Sequence, residues 1–599
     1  MLVVAQSLPD TSTNYPSGTL LSSAIATLLA AFKAFRFKPR LLAHRKNYGR
    51  EDFVNDLAAG VTVAMVALPL AMAFGIASGV RPEQGIATAI VAGFLISVLG
   101  GSRVQIGGPA GAFVALLYSI AEKYGVANLL IATMMAGVFL FAMGAFRMGN
   151  LVRFIPVSIV IGFTAGIAVI IAISQVKDLL GLDIAKPPSN FFSQIAVIGE
   201  QIHTFNWRAL ALGLVSLATI VFWPAPKAAH AAHSAQVSRW RSIAAKLPST
   251  IVVLVLSSFV VWLLHLPVET VGSKFGELPR GLPLPHFPAF DWDTARNLVA
   301  PAIAIALLCA IESLLCARVA DGLINDRHDP NQELMAQGIA NFFAPFFGGV
   351  AATGTIARTM TNVRSGARSP VAGIVHAVTL LLIIVVAAPL AGLIPLAALA
   401  AILLWVAYSM AEWNEFGKLG QYSMFYRITM LSTFFLTVVF DLVVAVQVGL
   451  ILASLFFIYR MSSLTSVVAI ELQLDQSRLP DGRVVGAVRI FGSLFFGSVT
   501  KLENLLDPTG KLPDVLIVEM HQTINMDNTG LEAIESLRKL ITRRGGLMMI
   551  AGANEQPLML MKRSGFVRRL GQDNLRGSLE DALSVVGAPP GALIERGRN

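Results

Sequence analysis

The stretches GSRVQIGGPAGAFVALLYSI at residues 101–120 and GGVAATGTIARTMTNVRSG at 348–366 decide how the rest of the chain is read. The first opens with glycines and Pro109 and leaves only about a dozen apolar residues before Glu122 and Lys123, too few for a helix crossing a hydrocarbon core of about 30 Å. The second has the same glycine-broken character around Gly354. Either alone reads as a flexible loop. Around them, however, apolar segments of crossing length run from Leu57 to Tyr459, and the second broken stretch comes seven segments after the first. Short, Gly-interrupted segments in corresponding halves point to an inverted-repeat transporter whose site lies where two half-helices meet.

Fourteen segments are read in all, starting near Leu57, Gln84, Pro109, Asn128, Phe154, Trp207, Leu247, Asn297, Glu333, Gly354, Pro370, Leu393, Arg427 and Asp441. With a cytoplasmic N-terminus, the inside loops hold Arg103, Arg147, Arg153, Lys227, Arg239, Arg241, Lys246, Arg318, Arg327, Arg364, Arg368, Lys418, Arg427 and Arg460. The outside turns are poorer in charge, as the positive-inside rule requires. An even number of crossings returns the C-terminus to the cytoplasm. The expected organisation is a cytoplasmic segment at 1–55, an all-α transmembrane domain at 56–460, a linker at 461–483, and a small cytoplasmic α/β domain with its tail at 484–599. In that domain alternation predicts strands at 484–491, 494–497, 515–520 and 547–551, and helical periodicity predicts helices at 499–506, 529–543 and 557–563.

Composition agrees. Hydrophobic residues make up 55% and charged residues 14%, against about a quarter charged in soluble proteins. The net charge of +10 is scattered between apolar runs and forms no basic stripe with interleaved aromatics, which argues against nucleic acid. Cys309 and Cys316 lie seven apart in one apolar segment, a spacing for packed helix surface and not for a disulfide framework or zinc. The cluster Lys33, Arg36, Lys38, Arg40, Arg45, Lys46 and Arg50 follows a weak apolar stretch at 19–32, the reverse of a signal peptide. No nucleotide loop or HExxH pattern occurs, so neither an enzyme, a metal site nor a cofactor is expected.

The run DLAAGVTVAMVALPLAMAFGIASGV from Asp56, GGPAGAFV from Gly107, IPVSIVIGFTAGI from Ile155, ALLCAIESLLCARVADG from Ala306 and NFFAPFFGGVAATGTIARTMTNVRSGARSPVAG from Asn341 together resemble the sulfate permease family, the solute carrier 26 family of animals. The C-terminal domain is similar to STAS domains. The resemblance covers nearly the whole chain. It implies seven plus seven inverted transmembrane segments, a core domain that carries the site, a gate domain, elevator-like movement of one against the other, and a homodimer. The IESLLCARVADG run and PLAMA after Leu68 most resemble the aerobic C4-dicarboxylate branch of enteric bacteria; many sulfate-carrying relatives have Gln where this chain has Leu70. Uptake of C4-dicarboxylates across a bacterial inner membrane is therefore the expected activity, with sulfate or bicarbonate, or an anion channel of the same fold, as alternatives.

An anion entering the membrane loses its water, and something positive must replace it. Two facing half-helix N-termini supply free amides and together roughly one positive charge. Gly107, Gly108, Ala110 and Gly111 on one side, with Thr353, Gly354 and Thr355 on the other, keep that backbone accessible, and Pro109 suits a first helical position. These glycines could instead serve close helix packing. Arg358, about one turn into the second half-helix, needs a partner in lipid: a substrate anion, or a fixed pair with Glu312 or a carbonyl. The resemblance puts Arg358 close to the anion and Phe74 beside it, although Phe74 also reads as packing. Glu312, in an apolar run, is the expected ion-coupling group for a proton, with sodium as the alternative that Cys316 one turn on makes a poor site for. A fixed counter-charge to Arg358 is its other reading. His376 reads as a satisfied packing histidine, and Lys177 and Asp178 as the outer end of a segment. In regulatory STAS proteins a serine follows the Asp of a D-S-S-G turn; here the turn is Asp527, Asn528, Thr529 and Gly530, so a dimer support or a surface for a cytoplasmic protein partner is expected instead of a phosphorylation switch.

Overall fold

A computed structural model describes residues 37–44, 48–150, 156–184, 187–223, 248–288, 292–440, 442–470, 481–499 and 513–588, with Leu472, Leu479 and Leu502. Of the expected basic flanks, Lys33, Arg36, Arg45, Lys46, Arg153, Lys227, Arg239, Arg241 and Lys246 lie outside the described residues. The chain divides into two compact units, one reaching Leu450 and one starting at Ile451.

In the first unit, besides the short helices Arg40–His44 and Trp413–Gly417, the helices are α1 (Arg50–Ala77), α2 (Pro82–Leu99), α3 (Val114–Tyr124), α4 (Val126–Ala145), α5 (Val157–Leu180), α6 (Phe191–Glu200), α7 (Trp207–Phe222), α8 (Ser249–Leu264), α9 (Val271–Phe275), α10 (Trp292–Ile324), α11 (Pro330–Phe343), α12 (Ile356–Arg364), α13 (Val371–Ala391), α14 (Leu396–Met410) and α15 (Met424–Val439). A further helix, α16 (Leu442–Leu464), leads out of it. Each of the fourteen expected starts falls within about two helical turns of the start of an element. Among the described residues seven helices are long and apolar enough to cross by themselves. Others are shorter, and the third and tenth segments are broken as their glycines required.

The helices form two groups. The core group joins α1, α2, α3, α4, α10, α11, α12 and α13, with α4 packed closely on α11 and α10, and α13 on α1 and α2. The gate group joins α5, α7, α8, α14 and α15 through α5 with α15 and α14, α14 with α7, and α8 with α7. Small residues permit the closest approaches. Side chains at Gly137 or Gly338 would collide with backbone across the α4–α11 contact, and at Gly162 or Gly166 with α15. Inside the core group the two broken segments meet as short strands, β1 (Gly107–Gly108) and β2 (Thr353–Gly354), paired antiparallel with Gly107 opposite Gly354 and Gly108 opposite Thr353. Antiparallel meeting is what inverted halves require.

The second unit is an α/β domain. Its strands are β3 (Ser466–Ile470), β4 (Val485–Leu494), β5 (Val515–Glu519), β6 (Thr523–Met526), β7 (Leu547–Ala551) and β8 (Leu575–Arg576). They run in the order β3-β4-β5-β7-β8, with β6 on the end of β4; β3 is antiparallel and the others parallel. Alternate residues of β5 feed separate cores on its two faces, Leu516 and Val518 on one and Val515 and Ile517 on the other. Helices α17 (Asn528–Arg543), α18 (Glu555–Arg563), α19 (Phe566–Leu570) and α20 (Leu579–Val585) complete it. Two expectations need correction. The stretch 461–483, read as linker, holds strand β3, and the separate strand expected at 494–497 is the end of β4 followed by a turn. The expected helix at 499–506 lies mostly outside the described residues.

Candidate anion-binding site

The β1–β2 crossing brings the starts of α3 and α12 together. Ala110 precedes a 3-10 turn at Gly111–Phe113 that leads into α3, and Thr355 precedes α12. Neither start carries a side-chain cap, so first-turn amides are left for another acceptor. Side-chain bonds lock the two arms. The Ile106 amide donates to Thr359 Oγ1 at 3.0 Å, Asn362 Nδ2 donates to the Val104 carbonyl at 2.8 Å, and the Thr355 hydroxyl donates to the Ile106 carbonyl at 3.3 Å.

All the expected seat residues are buried: Phe74, Gly108, Pro109, Ala110, Gly111, Thr353, Gly354, Thr355 and Arg358. Arg358 is only 1% exposed, and its Nη2 donates to the Pro109 carbonyl at 3.0 Å. Its Nη1 is buried without a partner, lying against Gly108 so closely that a Cβ there would overlap it. Gly108 also has φ 154°, which favours glycine. A Cβ on Gly111 would touch Phe74 of α1, Met410 of α14 and Ile171 of α5 at 3.3–3.5 Å, so the seat opens at the seam between core and gate groups. Met410 and Ile171 were not singled out from sequence; their segments lie far from Gly111 along the chain, and no local pattern marks them.

Glu312 stands on α10 behind the strands. Its Oε2 is buried and unpartnered, and among the described residues it makes no ion pair with Arg358 within 4.0 Å. Of the two fixed partners open to Arg358, the structure shows the carbonyl, that of Pro109, and not Glu312, and it leaves one N–H face free. Both strand arms are tied to α10 around Glu312: Thr353 Oγ1 donates to the Cys309 carbonyl and Gln105 Nε2 to the Ser313 carbonyl, each at 3.2 Å. His376 is fully buried as expected, yet both its ring nitrogens lack partners, so it is not a satisfied histidine. Lys177 and Asp178 do lie near the end of α5, where Asp178 accepts from Lys177 at 2.7 Å and sits 3.6 Å from Lys274. A cavity of about 50 Å³ runs from Val114 and Ala115, one turn beyond Gly111, past Ser174 to Lys177. It shares Ile76, Tyr118, Lys177 and Pro187 with a larger cavity of about 890 Å³.

The arrangement suits reversible capture of a small anion by amides and one guanidinium. Among the described residues no group of three or more His, Cys, Asp or Glu could hold a metal ion. Comparison with known proteins finds transporters of small anions. Residues 53–433 match the model of the sulfate permease family, and residues 480–582 that of the STAS domain. "Putative sulfate transporter YvdB" of Bacillus subtilis is 41% identical over 532 residues, covering 88% of this chain and 97% of that protein. The bicarbonate transporter BicA of Picosynechococcus is 29% identical over 558 residues, 89% and 95% of the two chains. The solved transmembrane domain of a cyanobacterial BicA covers 68% of this chain and 98% of its own, at 30% identity and TM-score 0.58. The murine Solute Carrier 26 family member A9 anion transporter in its inward-facing state shares the fold over 96% of this chain and 99% of its own, at 17% identity and TM-score 0.80.

Proposed function

Because the chain belongs to the sulfate permease family, we propose that it is a secondary active carrier of a small inorganic oxyanion, sulfate or bicarbonate. The observation that carries this reading is the bare Nη1 of buried Arg358 beside Gly108, together with two half-helix starts that have no side-chain cap. A guanidinium desolvated to that degree is stable only with an anionic or carbonyl partner, and an oxyanion accepts its fork and the amides together. The expected C4-dicarboxylate fits less well. Beside Gly111 the seat is bordered by Phe74, Met410 and Ile171, so a second carboxylate reaching into the seam would meet apolar groups. The names of the relatives above speak of sulfate and bicarbonate as well.

In this reading the core group carries the anion past the gate group, as the seam at Gly111 suggests, and Glu312 binds the coupling ion, a proton in preference to sodium. A carboxylate that alternates between wet and dry surroundings can take up and release a proton, whereas a passive pore gains little from a negative group. The protein would work as a homodimer in a bacterial inner membrane with both termini cytoplasmic. Its STAS domain would serve as dimer support or a surface for a cytoplasmic protein: Asp527 caps α17 through the Gly530 amide at 2.8 Å, and Asn528 takes the place of the regulatory serine.

The test is uptake into proteoliposomes of labelled sulfate, bicarbonate and succinate under an imposed proton or sodium gradient. Saturable sulfate or bicarbonate uptake with counterflow is expected. In Glu312→Gln counterflow should survive while gradient-driven accumulation disappears. Accumulation that persists in the variant, or that sodium alone drives in the wild type, removes the proton assignment, and current without counterflow removes the carrier.

A further inference from the structure

Gln105 lies two residues before β1 and is almost fully buried. Its carboxamide touches both functional centres. Nε2 donates to the carbonyl of Ser313, the residue after Glu312, at 3.2 Å. The same amide rests on the Cα of Gly354, so closely that a Cβ at 354 would overlap it. Its Oε1 is buried with no partner, and so are Glu312 Oε2 and Ser313 Oγ beside it in sequence on α10. Among buried polar groups of native proteins an orphan acceptor is an exception that calls for a reason.

A carboxylate cannot donate to Gln105 Oε1; a protonated carboxyl carries an O–H that can, and a cation held at Glu312 would equally attract that oxygen. Either event changes what holds the amide that packs on Gly354. The flanking backbone is pinned to the second half-helix, Val104 by Asn362 and Ile106 by Thr359, so a shift of this segment is passed to the helix that carries Arg358. Thr353 gives another tie to α10, but it joins β2 alone. We propose that Gln105 is a positioning residue that links ion occupancy at Glu312 to the affinity of the anion seat. The inference rests on Glu312 being the coupling group. The charged and titratable groups facing Glu312 are Arg358 on α12 and, on its own helix, the thiols of Cys309 and Cys316, with Glu333 on α11 acting on the same thiols.

The test measures sulfate affinity of the purified full-length protein at pH 6 and pH 8, with and without sodium, in the wild type, Gln105→Met and Glu312→Gln. Sulfate stays a dianion throughout, so any shift belongs to the protein. In the wild type the dissociation constant should move about fivefold or more with the coupling ion, the range of ordinary site-to-site linkage. In Gln105→Met the shift should fall below about twofold while affinity under the favourable condition stays within about threefold of wild type. A merely structural side chain would weaken binding equally under every condition, and that result overturns the proposal. So does a wild-type shift retained in Gln105→Met, which leaves the role of Glu312 standing. A wild type whose affinity ignores both ions overturns the coupling reading and this inference with it. If Gln105→Met does not fold, Gln105→Asn, which keeps an amide one methylene too short to reach both sides, carries the same measurement.

Discussion

Arg358 shows how a costly side chain locates a site. Its bond to the Pro109 carbonyl uses one of five donors, and Nη1 faces Gly108 with no protein acceptor. Arg358→Ala should therefore weaken sulfate binding by about 10- to 100-fold, the worth of hydrogen bonds to a charged group, in a folded protein. Arg358→Lys should recover little, because a point ammonium cannot present the planar fork. Equilibrium binding to the purified variants checks both, and unchanged affinity in Arg358→Ala would remove the direct contact. At this scale the sequence was legible where chemistry is local: a lone arginine and acid in apolar runs, and glycines where backbone must stay open. It was not legible where contact is made only by folding. Gln105 meets Gly354 and Ser313 from more than 200 residues away, and nothing in VQIGG distinguishes that glutamine from a solvent-facing one.

Among the elements, α11 was read as an ordinary membrane segment, yet it carries a buried polar ladder. Glu333, Gln337 and Asn341, one turn apart on one face, are each fully buried. Glu333 accepts from the Gly101 and Ser102 amides at 2.9 and 3.2 Å and from Gln337 at 2.9 Å. Asn341 exchanges two bonds with Ala352, at 2.8 and 2.9 Å, just before β2. The helix thus holds the approach to both strands. The i, i+4, i+8 spacing was available in the sequence, but its partners were not. Asn341→Leu should leave the Ala352 amide unpaired and its carbonyl with only the weak Cys309 thiol donor at 3.2 Å, and destabilise the protein by about 1–3 kcal/mol; a thermal midpoint in detergent equal to wild type would show that the clasp adds nothing. Short strands escaped for a related reason: β6 and β8, of four and two residues, are strands because β4 and β7 offer edges to them, not because of their own pattern. Outside the membrane segments, Asp326 receives Arg40 at 2.8 and 2.9 Å with Arg103 3.5 Å away. Burial pushes its carboxyl up, but the Arg40 bond, the Arg327 amide and the charges of Arg40 and Arg103 outweigh burial and hold it below the usual carboxylate range. A depressed value stabilises the fold above the unfolded carboxyl pKa and is lost as pH falls through the folded one. Asp326→Asn should therefore lower the thermal midpoint slightly, by under about 1 kcal/mol for so exposed a pair, with a difference that is constant from neutral pH to about 4 and closes only below it.

Over the whole molecule, the two units differ in how their stability is built, and that difference makes a prediction. The first buries polar groups among apolar helices, some paired and some, such as Glu312 Oε2 and the His376 ring, without a partner, and every residue assigned to the seat lies between Phe74 and Arg358. The second closes its own cores on both faces of its sheet, one from Val488 and Ile490 to Phe566 and the other from Val485 and Ala487 to Val586. A unit with its own core on each side can be removed without opening the other's. The second unit begins inside α16, at Ile451, and the cut is placed between Leu464, where that helix ends, and Ser466, where β3 begins, because this keeps the helix whole, and a later cut would divide a strand that pairs with β4 along its whole length and leave an unpaired edge. A chain ending at Leu464 is thus expected to insert, to remain monodisperse in detergent and to bind sulfate within about threefold of the full-length protein, since sites that share no partner combine nearly additively. Uptake rate is a separate quantity and is free to fall, because it depends on the movement of core against gate and not on the seat alone. Binding and uptake should accordingly be measured on the same preparation. A truncated protein that is folded by size-exclusion profile yet has lost sulfate binding would show that the second unit shapes the seat, and the placement of the whole binding function before Arg358 would then be wrong.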